Sequence, residues 1–187
     1  MPWLKKVADA LTGLRLALSV TLAALGLTGR LEGPQTAAVI VLAAWTTDAL
    51  DGPLARKSGQ AGQNWWGQGD LLVDMALATA LLIYMCSAGM AHPLLGLAHL
   101  LVWLVILVRQ GSITKPLGAA FQGPIYVWFG VSLLMQGLLM GRVMLLWVLG
   151  NIAINWRRFA QRDVPRFIEG LGDLVRRPAD GSTEEHE

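Results

Sequence analysis

The chain has 187 residues, of which 54% are hydrophobic and only 15% charged, with a mean hydropathy of +0.49. So few charges cannot cover the surface of a water-soluble domain of this size, so composition excludes an ordinary soluble fold and points to a membrane protein. A net charge of +2 leaves no basic surplus of the kind that nucleic-acid binding requires.

A helix needs about 18–20 largely apolar residues to cross the hydrocarbon, and roughly six such runs can be placed along the chain. The opening MPWLKKV has the make-up of a short interfacial helix. The first apolar run, 9–28, contains Arg15 and lacks the small-residue pattern of a cleavage site, so it is expected to persist as a helix rather than to be removed. Further runs at 36–56, 70–90, 93–110, 119–140 and 142–157 are separated by segments rich in Gly and Pro, among them TGRLEGP, SAGMAHP and GSITKPLG, where turns are expected. Residues 158–177 are expected to form an amphipathic helix on anionic lipid, and 178–187, PADGSTEEHE, a disordered tail. The predicted fold is an all-α membrane protein: six transmembrane helices in one domain, 1–157, with short interfacial helices at the termini. The single cysteine, Cys86, cannot form an internal disulfide.

Basic residues favour cytoplasmic loops. Lys5 and Lys6 precede the first run, Arg56 and Lys57 follow the second, Arg109 and Lys115 follow the fourth, and six arginines from Arg157 to Arg177 follow the last. The opposite side has only Arg30 and Arg142. Both termini, and the connection between the second and third helices, are therefore expected on the cytoplasmic side.

Between Gly33 and Arg162 the acidic residues are Asp48, Asp51, Asp70 and Asp74, and no others. An ionised side chain in a membrane helix costs several kcal/mol unless it pairs, binds an ion or faces a polar cavity, so such residues are functional candidates by default. Asp48, Asp51, Gly52 and Ala55 recur at i, i+3, i+4 and i+7, on one helical face; Asp70 and Asp74 stand at i and i+4. Two antiparallel helices would bring the four carboxylates to one depth near the cytoplasmic surface. The basic residues close to them in sequence, Arg56 and Lys57, are too few to neutralise them, so one or two divalent cations are expected. An all-carboxylate donor set suits Mg²⁺ or Mn²⁺ rather than zinc, and two metals on shared carboxylates suit phosphoryl chemistry. His92 and His99 fall toward the opposite loop and are expected to be structural. A transport path would spread its acids through the membrane depth, whereas these lie at one end. Trp65, Trp66, Trp128, Trp147 and Trp156 mostly fall near predicted helix ends, as in an interfacial belt; for Trp65 and Trp66, which occupy the connection between the second and third helices, contact with a donor is the alternative.

The stretch DALDGPLAR, residues 48–56, followed by DLLVD, residues 70–74, resembles the signature D-x2-D-G-x2-A-R-x8-G-x3-D-x3-D of the CDP-alcohol phosphotransferases. The interval between the two halves is one residue longer than the signature, and Trp66, followed by Gly67, stands four residues before Asp70 where the family has glycine. ADALTGLR, in the first run, resembles the N-x-L-T-x-x-R of members that use glycerol 3-phosphate, with Asp9 for Asn; Arg15 there is either a functional charge or a side chain that snorkels.

The resemblance implies a six-helix membrane enzyme, usually a homodimer, that moves a substituted phosphate from a CDP-linked donor to an alcohol and releases CMP. It assigns metal binding to Asp48, Asp51 and Asp70, both metal binding and general-base catalysis to Asp74, and the border of the CDP moiety to Gly52, Ala55 and Arg56. Arg109 and Lys115 correspond in region to residues that hold an acceptor's phosphate in phosphate-accepting relatives. The likeliest pairing is CDP-diacylglycerol with glycerol 3-phosphate in a bacterial-type inner membrane. Inositol phosphate, serine, a CDP-choline-type donor, or a catalytically silent scaffold are the alternatives.

Overall fold

The computed structural model describes residues 2–28, 33–57, 65–111 and 113–156, with the pairs 160–161, 164–165 and 168–169; the side chains of residues 2–5, 8, 51–57 and 65–68 lie outside the described residues. Among the described residues there are six α-helices and no strand: α1 (Pro2–Thr28), α2 (Pro34–Lys57), α3 (Trp65–Ser87), α4 (Pro93–Gln110), α5 (Lys115–Met135) and α6 (Leu139–Ile154). Short connections make successive helices antiparallel. The C-terminal helix and tail expected over 158–187 lie largely outside the described residues.

Four helices are long and apolar enough to cross a membrane, in α1, α3, α4 and α5. The expected six are therefore met in number of helices and in part as spans. α2 carries Asp48, Asp51, Arg56 and Lys57, which dilute its hydropathy, and α6 has 16 residues. The separate interfacial helix expected from MPWLKKV is not formed. Pro2 opens α1, where a missing N–H costs nothing, and the helix continues unbroken to Thr28, about 40 Å at 1.5 Å per residue.

The break between the fifth and sixth helices comes earlier than predicted. Gly137 takes φ +68, a left-handed conformation that a glycine adopts without strain, and ends α5 there. Gly141, which the sequence placed at the boundary, lies buried inside α6. A Cβ there would come within 2.9 Å of the backbone of Leu133 and Leu134, so its missing side chain lets the two helices meet. Gly141→Ala is expected to cost about 1–3 kcal/mol through this overlap. Gly130→Ala, where a Cβ meets nothing within 4 Å, should cost nothing. Thermal unfolding of both variants in detergent checks the pair, and equal melting temperatures would show that the α5–α6 contact opens freely.

α3 lies at the centre, packed on α1, α5, α4 and α2. Its buried face, which includes Leu77, Leu81, Tyr84 and Met85, meets Leu22 of α1, Val41 of α2 and Phe121, Ile125 and Phe129 of α5 in one apolar core. On α1 the buried positions Thr12, Arg15, Ser19, Leu22 and Gly26 recur every three or four residues and form a single stripe. At its apolar end a Cβ on Gly26 would come within 3.0 Å of the Tyr84 backbone, so α1 and α3 approach closely there. The other end of the stripe is polar. α4 is the outermost helix, with 6% of its span buried. His92 caps its start by accepting from the Leu94 N–H at 3.3 Å, and His99 donates to the Phe121 carbonyl at 3.2 Å. Both histidines thus make hydrogen bonds within the fold.

Candidate active site

The polar end of the α1 stripe is built around Arg15. Ser19 donates to the Arg15 carbonyl at 2.9 Å, a bond within the helix. That side chain does not snorkel, for it is 1% exposed. A guanidinium removed from water this completely costs several kcal/mol unless anions surround it.

Three anions do. Arg15 Nη1 donates to Asp74 Oδ1 at 2.6 Å and to Asp70 Oδ1 at 2.8 Å, and Asp48 Oδ1 lies 3.1 Å away. One Nη nitrogen has two hydrogens, so the third contact is held by charge rather than by a third N–H. Asp70 and Asp74 stand one turn apart near the start of α3, and Asp48 reaches the same point from α2. The cation is sealed in, whereas the side chains of Asp48, Asp70 and Asp74 are 51%, 39% and 25% exposed. The carboxylates therefore keep outer faces open to a ligand.

Charge and donor chemistry both call for a further cation. Among the described side chains in contact here, the acids when ionised bring three negative charges against one positive, a surplus of two. One oxygen from each of Asp48, Asp70 and Asp74 lies within 4.8 Å of the others. Oxygens that share one Mg²⁺ stand at most about 4.2 Å apart and are hard ligands of this kind, so the residues fit the group in type and nearly in spread.

The remaining predicted residues divide by how closely the fold brings them in. Asp51, Gly52, Ala55 and Arg56 lie on the last turns of α2, beyond Asp48, and their side chains, like those of Trp65 and Trp66, are outside the described residues. Lys115 is exposed at the first residue of α5, close enough for its charge to act on Asp48. Arg109 is exposed in the last turn of α4, where a cation also suits the helix dipole. Among the described residues no ion pair joins Arg109 or Lys115 to the acids.

The sequence reading weighed Arg15 as a functional charge or a snorkelling side chain but did not pair it with the acids; among the described side chains it is the cation in contact with Asp48, Asp70 and Asp74. The available signal was that Arg15 is the only charged residue between Asp9 and Arg30, and a lone charge in an apolar run requires a partner inside the bundle. Tyr126 of α5 was not singled out either. Its ring meets Trp45 edge-on at 5.1 Å, and it lies within electrostatic reach of Asp48, Asp74 and Arg15. Trp147, expected in the interfacial belt, instead packs on Trp45 with ring centres 5.3 Å apart.

Comparison with curated proteins and with solved structures returns no match. The family profile described as CDP-alcohol phosphatidyltransferase matches residues 5–156, from the fourth residue of α1 to just past the end of α6. Members of that family are membrane enzymes that use a divalent metal, in agreement with the apolar helices and the oxygen cluster. A match of this extent shows that the chain belongs to the CDP-alcohol phosphatidyltransferase family.

Proposed function

We propose that the protein moves a phosphatidyl group from CDP-diacylglycerol to a small alcohol, with glycerol 3-phosphate the first candidate, and releases CMP. The observation that supports this best is the meeting of Asp48, Asp70 and Asp74 within 4.8 Å in a bundle that also carries apolar spans. A lipid-linked donor can then keep its tails in hydrocarbon while its diphosphate reaches the acids.

An acceptor hydroxyl has a high pKa and must lose its proton as it attacks phosphorus. Asp74 takes that proton, the acceptor oxygen bonds to the phosphorus that bears the diacylglycerol, and the bond from that phosphorus to CMP breaks, with CMP leaving on the electron pair. Asp48, Asp51, Asp70 and Asp74 would hold Mg²⁺ or Mn²⁺, read as two ions, which when bound offset the charge of the diphosphate. Gly52 and Ala55 give the cytidine diphosphate room near the backbone, and Arg56 offers its planar fork to phosphate.

Arg109 and Lys115 are read as the acceptor's phosphate contacts, and the electrostatic reach of Lys115 to Asp48 supports its part. Lys115→Gln is expected to raise KM for glycerol 3-phosphate about tenfold, the loss of one charge-assisted hydrogen bond, and to leave KM for serine or inositol nearly unchanged. An equal rise for charged and uncharged acceptors would remove Lys115 from that role.

The same reading has all six helices crossing an inner membrane, with both termini and the site on the cytoplasmic side, as a homodimer. α2, at 24 residues, is about 36 Å long, and it lies between two spans to which it is joined by short connections. Residues 158–177 would rest on the lipid surface, with 178–187 as a tail.

The test is CMP release by purified protein in liposomes with CDP-diacylglycerol and Mg²⁺ or Mn²⁺, with glycerol 3-phosphate, inositol phosphate, inositol and serine supplied separately. Metal-dependent release with one acceptor names the product. Silence with all of them, from protein that still binds CDP, would point to a CDP-choline-type donor or to a scaffold.

A further inference from the structure

Arg15 Nη1 reaches three carboxylates through one atom, at 2.6, 2.8 and 3.1 Å. The Oδ1 atoms it contacts belong to the same three residues whose oxygens cluster tightly enough to ligate a metal. A metal ion on the open faces of these carboxylates would stand a few ångströms from the guanidinium, and two positive centres that close repel each other. The guanidinium also comes from a different helix, with its side chain 1% exposed, so it cannot simply retire into water.

We propose that Arg15 is a tethered cation that competes with the divalent ion for the oxygens of Asp48, Asp70 and Asp74, and so sets the affinity of the site for metal. The proposal rests on the reading that these carboxylates bind a divalent cation. Its physical basis is linkage: the guanidinium already draws on the negative charge of the three carboxylates and repels a second cation beside them, so the two cations are negatively coupled and each lowers the affinity of the other. Arg15 has a second consequence. Three like charges within a few ångströms repel one another, and a fixed positive centre among them keeps the carboxylates gathered. The device exchanges raw metal affinity for a cluster that is already assembled.

The coupling is measured on the purified protein in nanodiscs with no donor present, by titrating Mn²⁺ and following the free aquo ion by electron paramagnetic resonance. Arg15→Met, which keeps an unbranched apolar stem and removes the charge, should bind Mn²⁺ about tenfold more tightly than the wild type, within the usual range of such couplings. Arg15→Lys, which keeps the charge, should stay within about threefold of the wild type. Equal or weaker binding by folded Arg15→Met overturns the proposal and leaves the metal site standing. Failure of both wild type and Arg15→Met to bind Mn²⁺ overturns the metal reading along with it. A second test uses the wild type and does not depend on the folding of Arg15→Met. Solid-state NMR of [¹⁵N]arginine-labelled protein, with the Arg15 signal identified by its loss in Arg15→Lys, should show the guanidinium nitrogens shifting on saturation with Mg²⁺. A signal that stays in place at saturating Mg²⁺ overturns the competition.

Discussion

Asp74→Asn is expected to lower CMP release by at least about a thousandfold while leaving a folded protein. A positioned general base contributes about 10²–10⁴-fold, and the substitution also takes one charged ligand from the metal set. The fold should tolerate it because asparagine has the same shape, and its carbonyl oxygen can still accept from Arg15 Nη1, which stands 2.6 Å from Oδ1. Asp48 and Asp70 continue to compensate the buried guanidinium. Three measurements belong together: turnover, thermal unfolding and Mn²⁺ binding. Turnover above about a tenth of the wild-type rate would remove Asp74 from the base role, because no alternative base at full strength is compatible with the loss predicted for that position.

Chelation of divalent ions should abolish turnover to a similar extent, and Mg²⁺ or Mn²⁺ should restore it. The expectation follows from charge alone. Asp48, Asp70 and Asp74 outnumber Arg15 by two charges, and the donor's diphosphate is itself an anion. Two unit charges of like sign 4 Å apart repel by about 4 kcal/mol at an effective dielectric constant near 20, and several such pairs would form if a diphosphate approached the bare acids. Arg15 is already committed to the carboxylates and cannot neutralise both. Full activity after exhaustive chelation, with loss of bound metal verified by elemental analysis, would sink the metal reading and require Arg15 to neutralise the diphosphate by itself.

The elements and the cluster differ in how far they could be read from the chain. All six helices were legible from hydropathy, and α4 was placed to the residue, because Pro93 and Gly111 punctuate it. The end of α5 was not, since Gly137 and Gly141 are equally plausible breakers in sequence. One takes a left-handed φ, and the other is required by a neighbouring helix. Only packing tells these uses apart. In the same way Trp147 had the placement of a belt residue, yet its ring packs on that of Trp45, which in turn meets Tyr126.

The sequence by itself determined that this is an all-α membrane protein of the CDP-alcohol phosphatidyltransferase family, and that Asp48, Asp51, Asp70 and Asp74 are the residues to examine. Those conclusions rest on hydropathy, on the cost of charge in a membrane and on spacings of three and four residues, all of which are local along the chain. The tertiary structure alone decided what stands opposite the acids. Arg15 is 55 residues from Asp70 and 59 from Asp74, and no periodicity connects α1 with α3. The pairing arises because the stripe of Thr12, Arg15, Ser19, Leu22 and Gly26 packs on the central helix, with Gly26 set against Tyr84 at one end and a buried charge left at the other. A charge in that position is stable only beside anions, and the anions of Asp48, Asp70 and Asp74 are the ones the fold delivers.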